Sequence, residues 1–450
     1  METALGSRPS PPGPLAGGAV GLIRYVAMKM LRVGILGLGT VGAEVLRLLA
    51  DETIAQRANV RLTPVAAAVA DPGKARPPLP RLRLTGEARQ VVEAPDVDVV
   101  VELIGGLEPA RSLVLRALEL GKPVVTANKQ LLAEHGPELF ERAAARGVPL
   151  RFEGSVGAGI PLIAAIQESL AAARIHAITG ILNGTTNYIL TRMALAGWGF
   201  EEALAEAQRR GFAEAQPSDD IDGHDAAAKL AILASAAFGC RVTGRDVYRE
   251  GIAGITPRDM AYARELEYAI KLLAIGRLRD GDVEVRVHPA LIPLHHPLAQ
   301  INDEFNALEV EGDGLGPVVF SGRGAGGPPT AVAVLGDLIA IARADGRAGA
   351  PAPRPLAARR IRPMEEVVLP FYLNLQVTDR PGVFARVATV FGEEQVSIAS
   401  IVQKSRGEVA EVIFLTHDAP ERAVRRVLAR LRGLDVVKAV SSVIRVEATL

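Results

Sequence analysis

Cysteine is almost absent: Cys240 is the one thiol in 450 residues. A single thiol excludes an intramolecular disulfide and any cysteine-rich metal site, and it fits a reducing, cytoplasmic setting. Its surroundings, "AAFGCRV", predict a buried filler of the core. Net charge is absent as well, since 51 basic side chains are balanced by 51 acidic ones. No global field then draws the chain to nucleic acid or to an anionic membrane, which leaves a small molecule as the favoured partner. The seven histidines are scattered without zinc-ligand spacing. No segment reaches 18 uninterrupted apolar residues, so no membrane span is expected. The first 29 residues are rich in Pro and Gly and lack the apolar core of a signal peptide. They read as a disordered extension or a misassigned start, with Met28 or Met30 as the natural first residue.

What is present is organised in blocks. A chain of this length exceeds what one core organises, so two or three domains are expected. From Leu31 the text reads strand, glycine-rich turn, helix, and further buried-type runs ("LTPVAAAVA", "VDVVVELIGG", "PVVTANK", "VPLRFEG") alternate with helical stretches. That alternation predicts an α/β domain with a doubly wound parallel sheet of Rossmann type over 30–158. Longer helices and β-like runs follow over 159–317, an α+β substrate and dimerisation domain. An apolar helix within 318–345 returns to the first domain, and a Pro, Ala and Arg linker occupies 346–369. The last unit, 370–450, reads βαββαβ, a ferredoxin-like module.

In "GILGLGTVG", Gly37, Gly39 and Gly42 fit G-x-G-x-x-G between strand and helix. The first glycine permits the turn, the second admits a pyrophosphate to the backbone, and the third lets helix and strand pack closely. Gly37, Leu38, Gly39, Thr40, Val41 and Gly42 are therefore candidate cofactor contacts. Asp71 ends the second strand, nearer thirty than twenty residues past the motif, where an acid would hold a ribose hydroxyl. Its position argues for NAD, whereas Lys74 and Arg76 beside it could accept the 2′-phosphate of NADP, and both remain open.

The stretch "GFAEAQPSDDIDGHDAAAKLAIL" holds five acids and then one cation. Asp225 and Lys229 are four residues apart and share a helix face, and the flanking "AAA" and "LAIL" predict that the helix is buried. Lys129 follows the run "PVVTAN" and so sits at the carboxyl end of a sheet strand, where such sheets bind ligands. An EF-hand reading of "DDIDGHD" fails on register.

Taken with "PVVTANKQLL", "FEGSVGAGIPLI" and "GILNGTTNYIL", this stretch closely resembles the homoserine dehydrogenases, in order and spacing, over nearly all of 31–344. The segment "VTDRPGVFARVATVF" resembles an ACT domain, an amino-acid-sensing module. The resemblance implies NAD(P)-dependent interconversion of L-homoserine and L-aspartate 4-semialdehyde. It implies Lys229, Lys129 and Asp225 as catalytic residues, with the lysine proton carrier lowered in pKa by desolvation. It implies Glu214 and Asp220 around the substrate ammonium, with Gly184 and Thr185 completing the substrate pocket. Lys129 and Gly326 would also contact the cofactor, and a structural sodium ion would be held by Glu153 and by carbonyls of Val156, Ala158 and Ile160. Asp219 and Asp222 read as turn residues. Gln216 departs from the family's "EADP", which bears on the hydrogen bonding of that loop. A homodimer or homotetramer, and L-threonine as effector of the ACT module, are further implications. The alternatives are a dehydrogenase of a related amino semialdehyde and a non-catalytic nucleotide and amino-acid sensor, and the presence of both lysines argues against the sensor.

Overall fold

A computed structural model describes residues 28–73, 82–344, 356–405 and 407–447. Six strands form the first sheet: β1 (Lys29–Leu36), β2 (Val60–Ala68), β3 (Arg83–Thr85), β4 (Val99–Glu102), β5 (Val124–Thr126) and β6 (Leu150–Arg151). All are parallel, in the order β3-β2-β1-β4-β5-β6. This is the doubly wound order, with its reversal beside β1. The Val- and Ala-rich strands are buried because helices cover both faces, and the returning helix Gly327–Arg343 packs Val334, Leu338 and Ile341 against β1 residues Val33 and Ile35. Lys74 and Arg76 lie outside the described residues, as do 1–27.

The second domain contributes β7 (Ile175–Ile181), β8 (Tyr248–Arg249), β9 (Tyr268–Arg279), β10 (Asp282–Pro293), β11 (Phe305–Gly312) and β12 (Val318–Arg323). The helical stretch that follows Ile160 is short. It opens at Leu162, passes through a wide turn at Ala165–Ser169, and ends at Leu170. The helix His224–Phe238 crosses one face of this sheet and is apolar nearly all round, as a helix buried between layers must be.

The C-terminal module has β13 (Val368–Leu369), β14 (Phe371–Thr378), β15 (Ile398–Gln403), β16 (Val409–Thr416), β17 (Ala419–Pro420) and β18 (Val437–Val446), with helices Val383–Glu393 and Glu421–Arg432. Its sheet is joined to that of the second domain. β18 pairs in parallel with β10, Ala290 opposite Arg445, so one sheet runs β12-β11-β7-β9-β10-β18-β14-β16-β15 through both domains. Residues of the expected linker are bonded to the second domain: Arg241 N–H donates to Ala357 O at 2.9 Å and Arg362 N–H to Val283 O at 2.8 Å. Cys240 lies buried beside this strap, and burial pushes its thiol up to about 11.

Buried ions line the seam. Arg286, fully buried, donates to Glu284 at 2.8 Å and to Glu447, and Arg277 pairs with Glu447 at 3.1 Å. Arg445 bonds Glu421 and Glu250, both at 2.7 Å. Burial, reinforced by the neighbouring arginines, holds His288 well below its ordinary value and therefore neutral. Among the described residues no helix is long and apolar enough to cross a membrane.

Candidate active site

The glycine turn has the geometry its spacing requires. Gly37 adopts φ +98°, and a Cβ there would stand 2.7 Å from Leu103 O. A Cβ on Gly42 would lie 2.2 Å from Gly37 O, so that position fixes the close approach of helix and strand. Gly39 faces open space and caps the helix Thr40–Leu49 with no side-chain hydrogen bond. The first N–H groups of that helix thus point out of a bare turn, as an anion site needs. Gly327, which follows Gly326, packs against Thr40 and brings the second glycine cluster to the same turn. Asp71 lies past the end of β2, exposed, and accepts from Gly73 N–H at 2.8 Å. These residues fit a dinucleotide.

Beside this turn, at the carboxyl ends of β4 and β5, sequence reasoning passed over a buried acid. Glu102 accepts from Thr126 Oγ1 at 2.6 Å and from the N–H groups of Ile104 and Gly105 at 2.8 and 3.2 Å. Asn128 donates to Gly106 O at 2.7 Å and accepts from Leu131 N–H at 3.0 Å, capping the helix Lys129–Arg146. Glu102 and Asn128 together fix two consecutive left-handed glycines, Gly105 and Gly106, and the first helical residue, Lys129. The one signal was an acid ending an apolar run.

Lys129 reaches across to the second domain, where its Nζ donates to Asp225 Oδ1. The other oxygen of that carboxylate accepts from Lys229 Nζ at 2.7 Å, and Lys229 also donates to Leu182 O at 2.8 Å. The two lysines differ in access, for the Lys129 side chain is 49% exposed and that of Lys229 10%. Burial alone would push Asp225 up, but the charges of Lys229 and Lys129 and their hydrogen bonds hold it well below the usual carboxylate range. Burial opposes charge on Lys129 too, yet Asp225 raises it above its ordinary value, so it rests as an ammonium. At this lysine desolvation does not win.

Asn183 caps the helix Gly184–Ala196, accepting from Thr186 N–H at 2.8 Å. Its Nδ2 donates to Asp220 Oδ1 at 2.6 Å and to Asp225 Oδ2 at 2.9 Å. Asp220 is thereby brought to the lysine pair, while Gly184 and Thr185 open the helix beside it. Thr185 Oγ1 donates to Phe212 O at 2.7 Å and so anchors the start of the acidic loop. Glu214 is exposed on that loop, its carbonyl accepting from Gln208 at 3.1 Å. Asp219, Asp222 and Gln216 are exposed around the turn.

Glu153 differs from expectation in detail. Its carboxylate accepts the N–H groups of Leu162, Ile163 and Ala164 at 2.7, 3.0 and 2.7 Å, capping a helix start. Two of those bonds fall on Oε1 and one on Oε2, which leaves acceptor capacity on Oε2. Burial nonetheless keeps this carboxyl above its ordinary value. The carbonyl-bearing loop Val156–Ile160 is present, with Ala158 at φ +49°. Among the described residues no three His, Cys, Asp or Glu side chains are grouped to hold a metal.

Three family models match: "Homoserine dehydrogenase, NAD binding domain" over 37–153, "Homoserine dehydrogenase" over 161–339, and "ACT domain" over 371–436. A homoserine dehydrogenase of Corynebacterium glutamicum is 44% identical over 423 residues, covering 92% of this chain and 95% of that one. The crystal structure of a homoserine dehydrogenase from Thiobacillus denitrificans superposes with a TM-score of 0.88 at 45% identity, covering 94% and 99% of the two chains. A hyperthermophilic archaeal homoserine dehydrogenase in complex with NADPH matches at a TM-score of 0.58 and 26% identity, over 72% of this chain and all of that one. With a nicotinamide-binding domain, the paired lysines and a regulatory module in one chain, the protein belongs to the homoserine dehydrogenase family.

Proposed function

We propose a division of labour for the interconversion of L-homoserine and L-aspartate 4-semialdehyde. The observation that carries it is the carboxylate of Asp225, shared by Lys129 and Lys229 where the two domains face each other. When bound, the nicotinamide accepts or returns the hydride at the substrate's C4. Lys229 exchanges the hydroxyl proton, and Lys129, already an ammonium, stabilises negative charge developing on that oxygen. Asp225 orients both. Asp220 and Glu214 receive the substrate ammonium, and the opening N–H groups of Gly184 and Thr185 suit its carboxylate. If so, Asp220→Ala and Glu214→Ala raise KM for homoserine while leaving KM for the cofactor unchanged; an unchanged KM for homoserine in both variants would remove the ammonium assignment.

The cofactor lies along Gly37–Gly42 with its ribose toward Asp71, and Gly326 and Lys129 complete its contacts. A carboxylate beside the ribose favours a free 2′-hydroxyl, so NAD is the cofactor this position suits. A sodium ion would be held at this loop by Glu153 and by the carbonyls of Val156, Ala158 and Ile160. Its test is thermal stability in sodium against choline chloride, and equal melting would contradict it.

The regulatory reading is that L-threonine binds near Asp379–Phe384. β15 is an edge strand with Ile401 exposed at 43%, which suits sheet pairing between copies in a dimer or tetramer. Unchanged activity and unchanged melting with threonine would remove the effector.

A further inference from the structure

We propose that Asn183 is a positioning residue: its side-chain amide ties the carboxylate that meets the substrate, Asp220, to the carboxylate that meets the lysines, Asp225. The inference rests on the functional reading above. One amide nitrogen has two protons, and each is committed to a different acid, at 2.6 and 2.9 Å. Without that donor pair, two like-charged carboxylates would face each other, Asp225 from a buried position, and they would move apart. The amide oxygen has its own task, accepting from Thr186 N–H and Thr186 Oγ1 at 2.8 and 2.9 Å, so the amide plane cannot turn without breaking the helix cap.

Geometry makes this tie consequential. Asp220 belongs to the short helix Ser218–Ile221, and Gly223, at φ +80°, separates that helix from the one carrying Asp225 and Lys229. The left-handed turn alone does not set the distance between the two acids. Asn183 sets it from the third side, from the end of β7. It also donates to the same Asp225 oxygen that receives Lys229. The amide and the Lys229 ammonium thus converge on one carboxylate oxygen and fix its direction together. The charged groups around the amide are Asp220, Asp225, Lys229 and Lys129, with Asp219 near Lys129.

The cap and the tie are separable. Asn183→Ser keeps an oxygen able to cap the helix but cannot reach both acids. Its expected behaviour is a melting temperature near that of the wild type, a fall in kcat of about 10-fold or more, a raised KM for homoserine and an unchanged KM for the cofactor. A folded Asn183→Ser enzyme with wild-type kcat and KM for homoserine would overturn the proposal, as would a fall in kcat with KM for homoserine unmoved. Should Asn183→Ser not fold, Asn183→Asp, which keeps the capping oxygen and sets a third carboxylate against the other two, lowers kcat and raises KM for homoserine in the same way; unchanged values again overturn it. Wild-type turnover of homoserine, measured in the same series, separates failure of this inference from failure of the functional reading.

Discussion

Lys129 and Lys229 share the carboxylate of Asp225, one oxygen each, although Lys129 lies in the nucleotide domain, 96 positions from Asp225. The contact joins the nucleotide domain to the second domain at the carboxyl end of β5. It also places both lysines of the proposed chemistry on one acid.

Replacing that acid tests the arrangement. Asp225→Asn keeps the shape and removes the charge, and kcat falls by about 10²- to 10⁴-fold, the range for a misplaced general acid or base. The pH dependence of stability follows from the shifts. Asp225 is depressed in the folded state, so its contribution is complete above its unfolded value of about 3.9 and is lost as pH falls through the folded value. Lys129 is raised, so its contribution is complete below about 10.4 and is lost as pH climbs through the folded value. Thermal melting of the wild type therefore drops more between about pH 4 and pH 2 than that of Asp225→Asn, and parallel curves would contradict the pairing.

The glycines of the cofactor turn separate binding from folding. Gly39→Ala meets open space, so the variant melts near the wild type but loses cofactor affinity, read as a rise in KM for the nicotinamide. Gly42→Ala puts a methyl group 2.2 Å from Gly37 O, and the turn must shift, so both melting and affinity fall. Equal melting of the two variants would show that Gly42 does not set the packing.

Asp71→Ala removes the carboxylate proposed to face the ribose. The ratio of kcat/KM with NADP to that with NAD rises by about 10-fold, since the removed charge repels a 2′-phosphate and binds a 2′-hydroxyl. A falling ratio would place the ribose elsewhere.

At the seam, Glu447→Ala leaves Arg277 and Arg286 buried without their shared acid. Breaking such a pair from one side costs about 3–5 kcal/mol. Denaturant unfolding measures it, and a loss below about 1 kcal/mol would mean the seam carries no stability.

The parts of the site legible in the sequence are those written in local spacing. Gly37, Gly39 and Gly42 announce their turn, and Asp225 and Lys229 announce a shared helix face, because backbone sterics and the 3.6-residue period act over a few residues. The doubly wound parallel sheet, though not its strand order, followed from the alternation of buried runs with helical stretches. Long-range pairings are not written this way. Arg286 meets Glu447 across 161 positions and β18 joins β10, so the module that reads as tethered by a linker is fused to the catalytic sheet. Asn183 looks like an ordinary helix cap until Asp220 arrives beside it. Glu153 shows the converse: its likeness to a metal ligand was legible, but the three N–H groups it caps were not, since they depend on how the chain turns at Ile160.

The most direct test of the account is the absorbance of the reduced nicotinamide with L-homoserine as substrate, for the wild type, Lys129→Ala and Lys229→Ala. The account predicts turnover by the wild type and loss of about 10²-fold or more in each variant, with both still folded. Wild-type rates in either folded lysine variant, or no turnover of homoserine by the wild type with NAD or NADP, would contradict it.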